Sequence, residues 1–86
     1  MLTLQGQYTV AANKRLTIIA DPQKLAKGTL VSDLDALVRA CAENRGQCMV
    51  QISTPYGLMQ GTLTEKSPHK LRMRLFEGHL SFLPRA

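Results

Sequence analysis

The chain has 86 residues, of which 44% are hydrophobic, and a formal net charge of +5. This length predicts one domain, residues 1–86, because a folded chain of this size buries only about 60% of the surface that its unfolded form exposes, which leaves no room for a second core. Two Tyr, two Phe and no Trp imply an aliphatic core, the composition excludes disorder, and the positive charge favours anionic partners.

Two strands are predicted first in chain order. Apolar residues alternate with polar ones at the N-terminus: Leu2, Leu4, Tyr8 and Val10. This period of two is typical of a half-buried strand. Residues 15–21 repeat it with β-branched side chains. A turn through residues 11–14 is expected to join the two segments as an antiparallel hairpin.

Two helices are predicted next. An Asp-Pro pair at residues 21–22 and a glycine at Gly28 bracket one or two turns of helix. The main helix is predicted to begin with Ser32 as its N-cap and to end at Gly46. Its apolar stripe has the i, i+3, i+4, i+7 spacing: Leu34, Leu37, Val38 and Cys41.

The C-terminal half predicts a meander of alternating strands at residues 48–53, 58–65, 69–76 and 79–83. Turns are indicated by Thr54-Pro-Tyr-Gly57, Ser67-Pro68 and Glu77-Gly78. The element order is that of an α+β fold. We expect a small antiparallel sheet of four to six strands, made of the N-terminal hairpin and the C-terminal meander, with one main α-helix packed on it.

Positive charge is concentrated near the C-terminus, where residues 66–86 carry five bases against the single acid Glu77. On a strand, Leu71, Met73 and Leu75 would enter the core and the intervening bases would share the outer face, about 6.5–7 Å apart, near the phosphate spacing of a nucleic-acid strand. The candidate nucleic-acid-binding residues are therefore Lys66, Lys70, Arg72, Arg74 and Arg85. The alternative is a solvated outer face whose charges discourage aggregation.

Stacking platforms for bases are few: Tyr8, Tyr56, Phe76 and Phe82. Single-strand binders usually present several aromatic side chains on one face. On a strand, Phe76 would point to the same face as the basic residues and could stack on a base beside Arg74. A core role at a strand end is nevertheless more common for Phe.

Three segments together resemble the Sm-like RNA-binding motif: Val50-Gln-Ile52, Gly57-Leu-Met-Gln-Gly61-Thr-Leu63 and Leu71-Arg-Met-Arg-Leu75. The resemblance covers about half the chain, and the predicted main helix precedes it as a helix does in that fold. It therefore implies an Sm-like fold and RNA binding. The two glycines are one residue closer than in that family, and the loop after Leu63 lacks its characteristic Asp. No site residue is therefore carried over.

Catalytic and metal-binding patterns are missing. The two Cys and the two His match no zinc spacing, and Cys41 lies on the apolar helix stripe, where a buried thiol is expected. Asp33 and Asp35 are interpreted as helix-start charges. No nucleophile elbow or phosphate loop is present. We therefore expect a non-enzymatic protein without metal or cofactor.

Localisation is predicted from two absences. Cys41 and Cys48 are too few for a disulfide-stabilised secreted domain. The sequence shows neither a signal-peptide pattern nor a membrane-spanning run of apolar residues. These features favour a cytoplasmic protein with no membrane partner.

Two functions remain open. The first is a small regulator that binds DNA, RNA or a nucleoprotein through the basic strand. The second is a protein-interaction module, such as a compact inhibitor or adaptor of the kind that phages and plasmids encode, including an Sm-like or SH3-like adaptor. It would contact an acidic or nucleic-acid-binding protein surface through a sheet edge or the patch Leu80, Phe82 and Leu83, and homodimerisation through that edge would follow.

Overall fold

A computed structural model describes residues 1–21, 23–66 and 73–84. The described elements are β1 (Leu2–Thr3), β2 (Arg15–Ala20), α1 (Val31–Glu43), β3 (Gln47–Thr54), β4 (Gly57–Lys66) and β5 (Arg74–Phe82). They form one sheet with the strand order β1-β3-β4-β5-β2. Helix α1 packs on one face of this sheet, mainly over β3. The predicted α+β fold with one main helix on a sheet is confirmed.

The helix is held by its apolar stripe, because Leu34, Leu37 and Cys41 are all buried. It begins one residue before the predicted cap Ser32: the N-cap position is Leu30, whose side chain makes no capping hydrogen bond. It ends at Glu43, and the Gly46 backbone N–H then donates to the Cys41 carbonyl at 2.7 Å.

The C-terminal meander is confirmed, with β3, β4 and β5 antiparallel in sequence order. The predicted turn at residues 77–78 is wrong, since β5 runs through Gly78 without a break. A Cβ atom on Gly78 would lie only 2.0 Å from the Thr62 carbonyl oxygen of β4. Glycine is present here because the two strand backbones approach too closely for a side chain, and a strand glycine of this kind is easily mistaken for a turn.

The predicted N-terminal hairpin is wrong. β1 pairs in parallel with β3 at one edge of the sheet, whereas β2 pairs antiparallel with β5 at the opposite edge. The alternation of residues 2–10 reflects burial of one side of an extended segment that contacts several elements. The Leu4 N–H donates to Gln51, and the Gln7 N–H donates to Gly28.

The short helix predicted between Asp21 and Gly28 is not present in the described residues 23–28. Lys24 forms an isolated bridge with Asp21 and donates its backbone N–H to the Asp21 carbonyl at 3.1 Å. The Asp21 carboxylate accepts a hydrogen bond from the Gln23 N–H. This is a local turn in which the aspartate side chain competes with helix formation. Pro22 lies outside the described residues.

The facing of β5 is the opposite of the prediction. Phe76 has 0% of its surface exposed and Leu80 is also buried, so Arg74 shares their core-facing side and Leu75 faces outward, half-buried. Apolar residues occur at both alternating positions of this segment: Met73 and Leu75 point to one side of the strand, and Phe76 and Leu80 point to the other. Alternation alone therefore does not decide which side is buried, because a shift of one residue exchanges the two faces of a strand. The larger Phe76 side chain occupies the core. Leu71, which was predicted to face the core together with Met73 and Leu75, lies outside the described residues.

Both cysteines are free and buried. Burial raises the pKa of each thiol above its ordinary value, so the neutral form predominates at physiological pH. Among the described residues, no helix has both the length and the apolar character needed to cross a bilayer.

The facing of β5 can be tested with two neighbouring residues. Phe76→Ala should lower the free energy of unfolding by about 3–5 kcal/mol, because it leaves a cavity in the core. The matched control Leu75→Ala should cost about 1 kcal/mol, the usual size for a partly exposed side chain. Urea denaturation of both variants measures the difference, and a larger loss for Leu75→Ala would contradict this facing.

Candidate functional site

The described residues of the predicted basic site are engaged with carboxylates. The Arg74 guanidinium donates to both Glu65 oxygens, at 2.6 and 3.1 Å, and this raises the pKa of Arg74. Lys66 Nζ lies 3.7 Å from Glu77, and Arg15 lies 2.8 Å from the same carboxylate oxygen. Arg74 therefore does not stand on the outer face as predicted, and its guanidinium is already paired with a carboxylate.

The remaining predicted contacts, Lys70, Arg72 and Arg85, lie outside the described residues. Glu77 stands between Arg15 and Lys66 on the outer face of the sheet, and these cations, with Arg15 first, lower its pKa. The local field around Lys66 is therefore partly neutralised. An anion approaching this face would compete with an existing ion pair, which weakens the case for a phosphate site there.

A different site is formed by the aromatic residues. Phe76 is buried in the core and cannot stack on a ligand. The other three, Tyr8, Tyr56 and Phe82, line a single groove of about 430 Å³ whose floor includes Met59. A volume of this size is typical of ligand pockets. The sequence identified these rings as stacking candidates but did not indicate that they come together.

The groove continues into a depression on each side. On one side, a hollow of about 660 Å³ shares Tyr8 and Pro55 with the groove and adds Lys27. On the other side, a hollow of about 390 Å³ shares Tyr56 and Phe82 with it. We call the three depressions together the aromatic channel. Because neighbouring depressions share lining residues, the three lie next to one another on the surface.

The charges of the aromatic channel are positive. Lys14 lines the central groove, and its Nζ lies 5.8 Å from the centroid of the Phe82 ring, within cation–π range. Lys27 lines the neighbouring hollow. No Asp or Glu is among the described residues that line the three depressions. Sequence reasoning missed both lysines, because neither belongs to the basic C-terminal cluster.

Tyr56 is placed by the β3–β4 turn. The Thr54 hydroxyl donates to the Gly57 carbonyl at 2.7 Å and accepts from the Tyr56 N–H at 3.2 Å. Gly57 has a φ of 131°, which side-chain-bearing residues rarely adopt. The turn therefore has a defined conformation although Tyr56 at its tip is 83% exposed. The backbone that carries the Tyr56 ring is therefore held in place, and the exposed ring is accessible for stacking.

Tyr8 is placed by the buried carboxylate of Asp33, which is 3% exposed. Asp33 accepts the Tyr8 hydroxyl at 2.5 Å, and it also accepts the backbone N–H groups of Gln5 and Gly6 at 2.7–3.1 Å. Such charge-assisted hydrogen bonds compensate the cost of burying the carboxylate. Asp33 is therefore more than a helix-start charge: it attaches the N-terminal segment to the start of α1.

The apolar patch predicted near the C-terminus is divided by the fold. Leu80 is 4% exposed and belongs to the core, Leu83 is half-buried, and Phe82 is 44% exposed. The Phe82 ring contributes to the aromatic channel. The prediction that these three side chains form one exposed patch is therefore wrong.

Within residues 1–21, 23–66 and 73–84, no three His, Cys, Asp or Glu side chains lie close enough together to hold a metal ion. Comparisons with protein-family models, curated proteins and solved structures found no match. The candidate site therefore depends on the geometry of this chain alone.

The Tyr8–Asp33 contact makes a stability prediction. Tyr8→Phe should lower the free energy of unfolding by about 1.5–3 kcal/mol, the usual contribution of a hydrogen bond to a charged group. Burial, and then the bond to Asp33, raise the Tyr8 pKa above its ordinary value of 10.0. The folded state therefore holds the phenolic proton more tightly than the unfolded chain does.

The pH dependence of that difference has a definite sign. The Tyr8 contribution is complete below pH 10.0 and is lost as the pH rises above it towards the raised pKa. The stability gap between wild type and Tyr8→Phe, measured by urea denaturation, should shrink above that pH. Tyr56→Phe is the matched control and should show no gap, and a constant gap for Tyr8→Phe at every pH would contradict the assignment.

Proposed function

We propose that the protein is a small non-enzymatic domain that binds single-stranded nucleic acid in the aromatic channel. Bases stack on Tyr56 and Phe82, and backbone phosphates contact Lys14 and Lys27. The observation that carries this proposal is the combination of exposed rings with two lysines, neither of which has a carboxylate among the described residues that line the three adjoining depressions. Aromatic platforms beside a positively charged groove are the common features of sequence-tolerant single-strand binding.

The charge of the channel favours an anionic ligand. Aromatic-lined grooves also bind proline-rich peptides, so the rings alone do not select a ligand class. Lys14 and Lys27 line the channel without a described carboxylate beside them, which favours a polymer carrying one negative charge per unit. The net charge of +5 acts in the same direction by steering anionic ligands to the protein.

The predicted basic strand has a secondary role in this proposal. Lys66 and Arg74 are already paired with Glu77 and Glu65, so they contribute less to phosphate binding than unpaired cations would. Lys70 and Arg72 lie outside the described residues and remain the further nucleic-acid contacts that the sequence predicts. Arg85 directly follows Pro84, which lines one end of the channel, so a contact between Arg85 and the same ligand is also proposed.

The stacking role is tested by truncating the exposed ring. Tyr56→Ala should weaken binding of a fluorescein-labelled oligo(dT) or oligo(U) by about 5- to 150-fold, since loss of one stacked base costs about 1–3 kcal/mol. Fluorescence anisotropy measures the dissociation constant. The matched control is Met49→Ala, which removes a 52% exposed apolar side chain that does not line the channel. Equal affinities for the two variants would contradict stacking on Tyr56.

The lysine role is tested by the salt dependence of binding. Lys14→Gln and Lys27→Gln should each reduce the slope of log affinity against log salt by about 0.7, the value for one phosphate contact on a single strand. Lys24→Gln removes an exposed lysine that does not line the channel and should leave the slope unchanged. If the double variant Lys70→Gln, Arg72→Gln abolishes binding and the channel variants do not, the ligand lies on the basic strand instead.

The alternative to nucleic-acid binding is that the protein is a protein-interaction module. A pull-down from native cytoplasm, with and without nuclease, separates the two. Partners lost on nuclease treatment support nucleic-acid binding. Partners retained by wild type after nuclease but lost by Tyr56→Ala would identify the aromatic channel as a peptide-binding groove.

A further inference from the structure

We propose that the main chain of residues 8–10 forms hydrogen bonds with the Watson–Crick edges of the bases that the aromatic channel binds. This inference rests on the nucleic-acid binding proposed above and deepens it. Stacking and phosphate contacts alone accept any strand whose base faces are exposed, whereas hydrogen bonds to base edges require unpaired bases with free edges. The ligand class is therefore single-stranded nucleic acid with unmodified base edges.

Residues 4–14, which we call the N-terminal strap, run from one edge of the sheet to the other. At the first edge, the Leu4 N–H donates to the Gln51 carbonyl at 3.0 Å, next to β1. At the opposite edge, the Lys14 carbonyl accepts the Leu80 N–H at 2.8 Å, directly before β2 begins. Strands β1 and β2 are the two ends of the strand order. The strap therefore spans the width of the sheet as an irregular segment.

The strap and the β3–β4 turn together line the central groove of the channel. Strap residues 8–12 and turn residues 54–56 are lining residues of the same groove, together with Phe82. Thr9 has a short side chain and is exposed, so little side-chain bulk separates its main chain from a ligand. A base that stacks on Tyr56 or Phe82 therefore lies beside the main chain of the strap.

Residues 8–10 carry main-chain groups that the fold leaves open. Immediately before them, the Gln7 N–H donates to the Gly28 carbonyl at 2.9 Å, and immediately after them the Ala11 N–H donates to the Arg15 carbonyl at 3.0 Å. Within residues 1–21, 23–66 and 73–84, the N–H and C=O groups of residues 8–10 have no main-chain partner. Main-chain groups without a protein partner bond to solvent, and a ligand with matching donors and acceptors replaces that solvent.

The open groups are held in place by contacts of the strap with the rest of the protein. The Asp33 carboxylate accepts the Gly6 N–H at 2.7 Å and also accepts the Tyr8 hydroxyl. The Tyr8 and Val10 side chains pack against the hydrophobic core. A polar group that is already in position loses little freedom when a ligand binds, and this favours hydrogen bonding to the ligand. The strap therefore differs from a loosely attached loop.

Base edges match the open groups in chemistry and in charge. An extended main chain presents both donors and acceptors, and the Watson–Crick edge of each base also carries both. A peptide strand would offer the same groups. Lys14 and Lys27, however, line the channel with no carboxylate among its described lining residues, which favours an anionic strand. In this arrangement the aromatic rings contact the faces of the bases and the strap contacts their edges.

Two oligonucleotides that differ only at the base edge test the proposal on the wild-type protein. Fluorescein-labelled oligo(dT) and an oligo(3-methylthymidine) of the same length carry equal charge and the same ring, but the N3-methyl group removes the edge donor. Fluorescence anisotropy should give a dissociation constant at least about fivefold higher for the methylated strand, the factor for one net hydrogen bond. Equal dissociation constants would overturn edge recognition and leave stacking intact, whereas no binding of oligo(dT) would overturn the proposed function itself.

Proline variants test whether the strap makes the contact. Neighbouring residues of an extended chain direct their main-chain groups to opposite sides, so either Thr9 or its two neighbours direct theirs into the channel. Proline removes the N–H donor and fills the space beside it with its ring. At least one of the variants Thr9→Pro and Val10→Pro should therefore bind the methylated and unmethylated strands equally. If both variants keep the wild-type ratio, the methyl group is rejected elsewhere and the proposal is overturned.

Thr3→Pro is the matched control, since Thr3 is an exposed threonine that directly precedes the strap. This variant should keep the wild-type ratio of the two dissociation constants. Circular dichroism checks that each variant is folded, and the comparison of the two strands on the wild-type protein stands without the variants. If Thr3→Pro also binds the two strands equally, the effect is not specific to residues 8–10 and the assignment to them is wrong.

Discussion

The buried carboxylate of Asp33 is the contact on which the arrangement of the N-terminal half depends. It accepts two backbone N–H groups and one phenolic hydroxyl from residues 5–8, so a segment without regular secondary structure has a fixed path beside α1. That path brings β1 to the edge of β3 and the Tyr8 ring to the aromatic channel. A carboxylate in this position is stable only while its donors remain, because an uncompensated buried charge costs several kcal/mol. The N-terminal segment and the helix are therefore expected to be stabilised together.

The distribution of ion pairs decides where cations remain available for a ligand. Glu65 and Glu77 lie on opposite faces of the sheet, and each contacts a base that the sequence assigns to the basic cluster. The aromatic channel has only two lysines among its described lining residues, Lys14 and Lys27, compared with five bases in the predicted C-terminal cluster. The residues that line the channel beside these lysines are aromatic or uncharged. A modest positive potential beside exposed rings suits a ligand that is both anionic and planar. This combination, more than the total charge, supports the proposed binding of single strands.

Part of the candidate site was predictable. The sequence singled out Tyr8, Tyr56 and Phe82 as stacking candidates, and the turn at residues 54–57 was indicated by its Pro and Gly. The assembly of the three rings was not predictable, because they come from an irregular segment, a hairpin tip and a strand end. Lys14 and Lys27 carried no signal, since an isolated lysine in a loop is the commonest kind of surface residue. Arg74 was misplaced because its neighbours on both sides are apolar, so alternation alone did not decide which set was buried.

The sequence by itself determined the local elements: the amphipathic period of α1, the hairpin between β3 and β4, and the α+β class follow from spacing and turn residues that act within a few positions of one another. Tertiary structure decided which strands are neighbours and which side of β5 is buried. Those choices depend on contacts between distant residues, such as Asp33 with residues 5–8 and Gly78 with Thr62, and on the space that a Phe ring requires in a small core. A periodic pattern predicts that one side of a segment is buried. Which element packs against that side depends on the packing of the whole chain.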